Sequence, residues 1–320
     1  MASLETLDID PSGRGHRPLA YNPPTTATFK LNNFRALQAG YRLIETCKTS
    51  AAEELVGQAI RQSEIPRSEI TVVTKLCAED WHDVRGAFAR SRRSLDTYID
   101  IYVLQSPQGL SKESSRRLLP GESPNFTQVY KEMEKLVGPH CRGLGISHFS
   151  QKTLEVLLEQ ITIMPLINEI EINPLNPNLK LVPYCLEKGI RPVACRPLAD
   201  SPTDRQAHSM LNDEIPLLNS LASAYNISAS VIILSWLAQR DIVAMLDAGL
   251  PSQIDANLEL VKLKTDEMNE INSLHQKIGL TRVTNPADAL GLRIPGEAEA
   301  ARGWTAQDMG WEDDQGRCLT

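Results

Sequence analysis

Apolar runs of strand length recur along the chain with amphipathic stretches between them. The runs are YRLIET (41–46), ITVVTKL (70–76), IDIYVLQ (99–105), GLGIS (143–147), LINEIEI (166–172), RPVACRP (191–197) and DIVAML (241–246). Spacing of this kind predicts parallel strands joined by crossover helices. The helices are legible in their own right. DVRGAFARSRRSLD puts Val84, Phe88 and Leu95 on one face, QKTLEVLLEQI gathers Leu154, Leu157, Leu158 and Ile161, and TDEMNEINSLHQKI repeats Met268, Ile271 and Leu274. With TTATF (25–29) as a weak first strand the count is eight, the number that closes a (β/α)₈ barrel. A doubly wound sheet would usually carry a Gly-rich phosphate loop after its first strand, and neither GxGxxG nor GxxxxGK[ST] occurs. The expected architecture is therefore a single-domain α/β (β/α)₈ TIM barrel over residues 25–280. Residues 1–24 are read as an N-terminal extension and 281–320 as a tail placed to cover the barrel mouth.

Two segments stand outside the alternation. Residues 106–124, SPQGLSKESSRRLLPGESP, form a polar Pro/Gly/Ser-rich loop after the fourth strand, and the tail carries Trp304 and Trp311 without a clear period. Long strand-to-helix loops and a C-terminal tail at a barrel mouth are where substrate selection is expected.

Composition narrows the function classes. The chain has 320 residues, 42% of them hydrophobic, and a formal net charge of −7, which argues against a nucleic-acid surface. The N-terminus MASLETLDID lacks a signal pattern, and no run reaches the roughly 18 apolar residues of a membrane span. A soluble, cytoplasmic protein is expected, without membrane or nucleic-acid partner. The sequons at Asn125 and Asn226 are then chance matches. Six cysteines form no CxxC pair and no His/Cys ligand spacing, so no metal is expected and free thiols are.

The order of motifs is specific. AGYRLIET, EELVGQAI, VVTKL, YIDIYVLQSP, LGISHFS, INEIEINPL, CLEKGIRPVACRPLA, LAQRDIVAML and DEMNEINSL follow in order and spacing the pattern of the aldo-keto reductases, which the chain resembles over roughly residues 26–280. The resemblance implies a barrel with NADPH in an extended cleft, where a Tyr acid supported by Asp, Lys and His reduces carbonyls. Its general look is similar to relatives in fungal secondary-metabolite pathways.

Mapped onto this chain, the catalytic Asp falls on Glu45, the Tyr on Ser50, the Lys on Lys75 and the His on Gln105; only the lysine is kept. A serine hydroxyl is far less acidic than a phenol and too short to reach its place, and Gln105 cannot carry a proton at neutral pH. Ser50, three residues before Glu53, also reads as a helix-capping box. The nicotinamide-gripping residues fall on Ser147, His148 and Glu169, and the stacking Tyr and the following Ser fall on Cys195 and Arg196. The 2′-phosphate ligands fall on Asp247, Ala248 and Gln253, with Asn257 retained. Losing two charge-assisted contacts of roughly 1.5–3 kcal/mol each would weaken NADPH binding on the order of 10²- to 10⁴-fold.

These residues suggest three readings. The leading one is cofactor-independent chemistry, an isomerisation, dehydration or cyclisation of a small secondary metabolite, with Lys75, Glu45, Glu169 and His148 moving protons. Ser50, Trp81, Gln105, Cys195 and Arg196 would then contact substrate, with Ser147 and Asn257 as remnants of a cofactor cleft. The alternatives are an NADPH- or NADH-dependent reductase and a ligand-binding pseudoenzyme. Bland roles compete throughout: Lys75 is read as an ion-pair partner of Glu45, Glu169 as the partner of Arg196, and Trp81 and His82 as packing.

Overall fold

In the computed structural model the described residues are 19–21, 29–48, 52–113, 116–199, 215–246, 251–284 and 303–319. Eight parallel strands close into a barrel in sequential order: β1 Leu19–Tyr21, β2 Leu43–Glu45, β3 Thr71–Leu76, β4 Ile99–Leu104, β5 Cys141–Ser147, β6 Ile167–Glu171, β7 Arg191–Cys195 and β8 Val243–Leu246. Around them run α1 Phe29–Ala39, α2 Ala52–Gln62, α3 Val84–Leu95, α4 Phe126–Glu134, α5 Gln151–Leu158, α6 Leu181–Glu187, α7 Pro216–Tyr225, α8 Ala229–Ala238, α9 Pro251–Ala256, α10 Thr265–Asn272 and α11 Leu274–Ile278. None of the described helices is long and apolar enough to cross a membrane.

The first strand differs from expectation. Closure is made by Leu19–Tyr21, which pairs with β2 and β8, while Phe29 already opens α1. Of the expected strand TTATF, residues 25–28 lie outside the described residues. The barrel accordingly begins inside the stretch assigned to an N-terminal extension, before residue 25. The other strands fall on their apolar runs, and the helix faces lie as their periodicity predicts. Val84, Phe88, Leu95, Leu154, Leu157, Ile271 and Leu274 are buried, while Leu158, Ile161 and Met268 pack half-buried against the core.

Strand alternation sets the interior. Val73, Ile101, Val103, Ile167, Val193, Val243 and Met245, with Leu43 against them, form the apolar filling of the barrel. Side chains two residues further along each strand point the same way. The period of two thus carries Glu45, Lys75, Gln105, Ser147, Glu169 and Cys195 to the C-terminal layer, above a dry plug.

The loop 106–124 and the tail are tied down together. Leu110 bridges Arg117 within the loop, Trp304 Nε1 donates to Leu118 O at 3.1 Å, and Gln108 Nε2 contacts Met309 sulfur at 3.3 Å. Trp304, Met309 and Trp311 are all buried in the same core that covers α3, α4 and α5.

The packing of α2 on α3 rests on a close backbone approach. A Cβ on Gly57 would stand 2.2 Å from the Leu95 carbonyl oxygen. Helix propensity alone favours Gly57→Ala by about 1 kcal/mol, but the clash with fixed backbone outweighs it. We expect Gly57→Ala to destabilise the fold by about 1–3 kcal/mol in urea unfolding.

Candidate active site

At the mouth, Lys75 Nζ sits between two carboxylates, 2.7 Å from Glu45 Oε1 and 2.6 Å from Glu169 Oε2. All three are enclosed: the side chains of Lys75, Glu45 and Glu169 are 15%, 5% and 2% exposed. The Lys75–Glu45 pair expected from the sequence is present. Glu169, however, pairs with Lys75 and not with Arg196. The reason is positional, since Glu169 and Lys75 both project inward from within their strands, whereas Arg196 lies one residue beyond the end of β7.

Two carboxyls on one ammonium cannot both stay ionised without cost. Burial, then the neighbouring Glu169, pushes the Glu45 carboxyl from 4.5 up to about 8, although Lys75 pulls the other way. Burial alone would pull the Lys75 ammonium down, yet the two carboxylates override it and hold it well above its ordinary value. At neutral pH Glu45 is therefore a carboxylic acid beside the Lys75 ammonium. Three of its acceptor atoms, Glu45 Oε2, Glu169 Oε1 and the adjacent Gln105 Oε1, are buried without a hydrogen-bond partner. The Glu45 carboxyl also lies within hydrogen-bonding reach of Glu169, which raises its pKa further.

The strand ends around the cluster are strained. His148 and Arg196, the residues directly after β5 and β7, both adopt left-handed φ, 64° and 53°. Such backbone costs of order 1–3 kcal/mol for a side chain other than glycine and gathers at functional sites. His148 is held by its backbone N–H donating to Glu169 O at 2.7 Å. Its ring lies 6.3 Å from the Trp311 ring, edge to face. Enclosure, with Lys75, Arg196 and Arg282 nearby, pushes its pKa from 6.5 down to about 3. His148 is a neutral donor and acceptor, not a cation.

The remaining expected site residues scatter. Ser147 Oγ donates to Glu169 O at 3.3 Å. Cys195 faces the same layer, its thiol pushed up to about 12 by burial and so protonated. Asn257 lies just past α9, its N–H donating to Gln253 O at 3.0 Å. Trp81, in the turn Ala78–Asp83 that follows β3, is buried, and a Cβ on Gly109 would stand 2.2 Å from its ring. His82 Nε2 meets Leu110 O at 2.8 Å and lines a surface cavity of about 510 Å³ beside the 106–124 loop. Ser50, Asp247 and Ala248 lie outside the described residues. The capping partner proposed for Ser50, Glu53, instead accepts from buried Thr74 Oγ1 at 2.7 Å.

Beside the cluster opens a cavity of about 480 Å³ between α5, the β6–α6 connection and the tail. His148 lines it and lies near Lys75 of the cluster. Its lining adds Glu171, Arg282 and Trp311, none of which was singled out as a site residue from the sequence apart from the presence of Trp311 in the tail. Glu171 anchors this wall, accepting from the Val283 and Thr284 amides at 3.0 and 2.7 Å.

A closed β/α barrel with acid, base and ammonium at the C-terminal ends of its strands belongs to the class of barrel enzymes whose chemistry sits at that face. Residues 22–276 match the family model described as the Aldo/keto reductase family, and the chain belongs to that family. It is 30% identical to the glycerol 2-dehydrogenase (NADP(+)) of Saccharomyces cerevisiae, covering 78% of this chain and 84% of that one. It is also 30% identical to the D-galacturonate reductase of Hypocrea jecorina, covering 81% and 88%. The fold matches aldose reductase from Giardia lamblia with a TM-score of 0.77 at 24% identity, over 87% of this chain and 98% of that one.

Two outcomes are expected from the cluster. Lys75→Met leaves Glu169 buried without its cation and should cost about 3–5 kcal/mol in denaturant unfolding, with Lys75→Met/Glu169→Gln recovering part of it. The raised Glu45 pKa means that between pH 4.5 and about 8 the folded protein holds a proton that the unfolded chain has released. Its contribution therefore favours folding at the acid side of that window and is lost as pH rises through it. The difference in stability between wild type and Glu45→Gln should shift in the same sense and flatten above about pH 8.

Proposed function

We propose that the protein is an oxidoreductase of small carbonyl compounds in which Glu45, at the place of the family's aspartate, takes over the proton-donor role of the missing tyrosine. The observation that carries this is the Glu45–Lys75–Glu169 cluster, with a protonated Glu45 carboxyl fixed beside an ammonium at the mouth. A carbonyl placed over the mouth would compete with Glu169 for that proton. Lys75 would stabilise the carboxylate left behind, and Glu169 fixes Lys75 in turn. The naming of relatives as a NADP(+)-dependent dehydrogenase and a reductase supports the same class.

The residues fit one end of a nicotinamide dinucleotide. Glu169 Oε1 and Gln105 Oε1 are buried acceptors awaiting N–H donors, and neutral His148 and Ser147 stand beside them, a set suited to a carboxamide. Bound there, the dinucleotide would supply hydride. At the far end, Gln253 on α9 offers an amide where the family pattern has an arginine, so NADH should bind better than NADPH.

A second reading is favoured by the pairing itself. An acid and a carboxylate flanking one ammonium could also take a proton from one carbon and return it to another, an isomerisation, dehydration or cyclisation without nucleotide. The test is nucleotide oxidation with a panel of small aldehydes and ketones. The first reading expects turnover with NADH, falling above about pH 8 as Glu45 ionises, and Glu45→Gln should lower kcat about 10²- to 10⁴-fold. Absence of nucleotide binding and oxidation, with a substrate altered in its absence, would leave the second.

A further inference from the structure

We propose that Arg282, stacked on Trp311 in the cavity beside the mouth, is a subsite for a single carboxylate of the substrate. The cavity of about 480 Å³ is large enough for a small organic acid. Arg282 lines it, with its guanidinium carbon 4.7 Å above the centre of the Trp311 ring. Its side chain has no ion pair or hydrogen bond among the described residues, and its Nε is buried without an acceptor. The residue is half-buried, and a buried Nε without an acceptor is costly. Burial lowers the pKa of the group from its ordinary value.

The carboxylates nearby do not satisfy it. Glu171 is the closest in influence, but its oxygens are taken by the Val283 and Thr284 amides. Glu312, Asp314 and Glu155 line the same cavity without reaching salt-bridge distance of Arg282, and Glu155 accepts from Gln151 instead. This ring of acids selects the ligand. It would repel a phosphate carrying two charges, and Lys152 and Lys180 on the exposed rim only partly offset it. A monoanionic, planar carboxylate matches one guanidinium edge and keeps the total charge low. The tail is what makes the subsite: Trp311 holds the face of Arg282, and Gln307 O is fixed by Lys152 Nζ at 3.0 Å.

His148 links this cavity to the Glu45–Lys75 cluster. Resting on the reading of that cluster as the reacting centre, the substrate class becomes a carbonyl compound with a carboxylate elsewhere in the molecule, an oxo acid or aldehyde acid.

The test uses the full chain with benzoate and benzamide, equal in shape and different in charge, by titration calorimetry. Benzoate should bind about 10- to 100-fold more tightly than benzamide and should quench Trp fluorescence, while Arg282→Gln, folded by its melting curve, should remove the difference. Equal affinity of the two probes for wild type, or binding of neither at tens of millimolar, overturns the subsite without recourse to any variant. Retained preference in folded Arg282→Gln does so as well. Reduction is then measured with 4-carboxybenzaldehyde. Benzoate preference without nucleotide-dependent reduction keeps the subsite and sinks the oxidoreductase reading, whereas reduction without benzoate preference does the reverse.

Discussion

One ammonium between two carboxylates, closed off at the top of a barrel, is the constraint on which the site depends. Lys75 could not be buried to this degree alone, and neither could Glu45 and Glu169. Together they reach a state in which Lys75 is held as the ammonium and Glu45 as the neutral acid. The desolvation that makes the cluster expensive is also what raises the Glu45 carboxyl into the range where a proton donor is useful at neutral pH. Stability and chemistry are thus drawn from the same three side chains.

The scaffold beneath makes this possible. The interior from Val73 to Met245 is apolar and filled, so the charged layer rests on a dielectric floor instead of on water. Above it, the strand ends at His148 and Arg196 are forced into left-handed backbone, and the tail is drawn across by Trp304, Met309 and Trp311. The mouth is consequently asymmetric. The β3 side is sealed by Trp81 under the 106–124 loop, while the β5–β6 side opens into the Arg282 cavity.

How far these features were legible depends on the range of the interaction behind each. Lys75, Glu45 and Glu169 each stand two residues beyond an apolar inward position on their strand, so local alternation marks them as facing the mouth. Who pairs with whom was not legible, because Glu169 to Lys75 spans the barrel and nothing local ranks Lys75 above Arg196. The burial of Trp81 was not legible for a similar reason, since its ring packs against Gly109 of a different loop. Arg282 carried no signal at all. Its meaning comes from Trp311, 29 residues away, and from acids spread over β6, α5 and the tail.

The sequence by itself determined the alternation of strands and helices, the eight-fold closure and the replacement of a phenol and an imidazole at the mouth, since periodicity and side-chain identity are properties of short segments. Only the tertiary structure decided which strand closed the barrel, which acid holds the proton, and that the tail walls a second cavity around a guanidinium. These depend on desolvation and on distances between groups far apart in the chain, and such quantities exist only once the chain has folded.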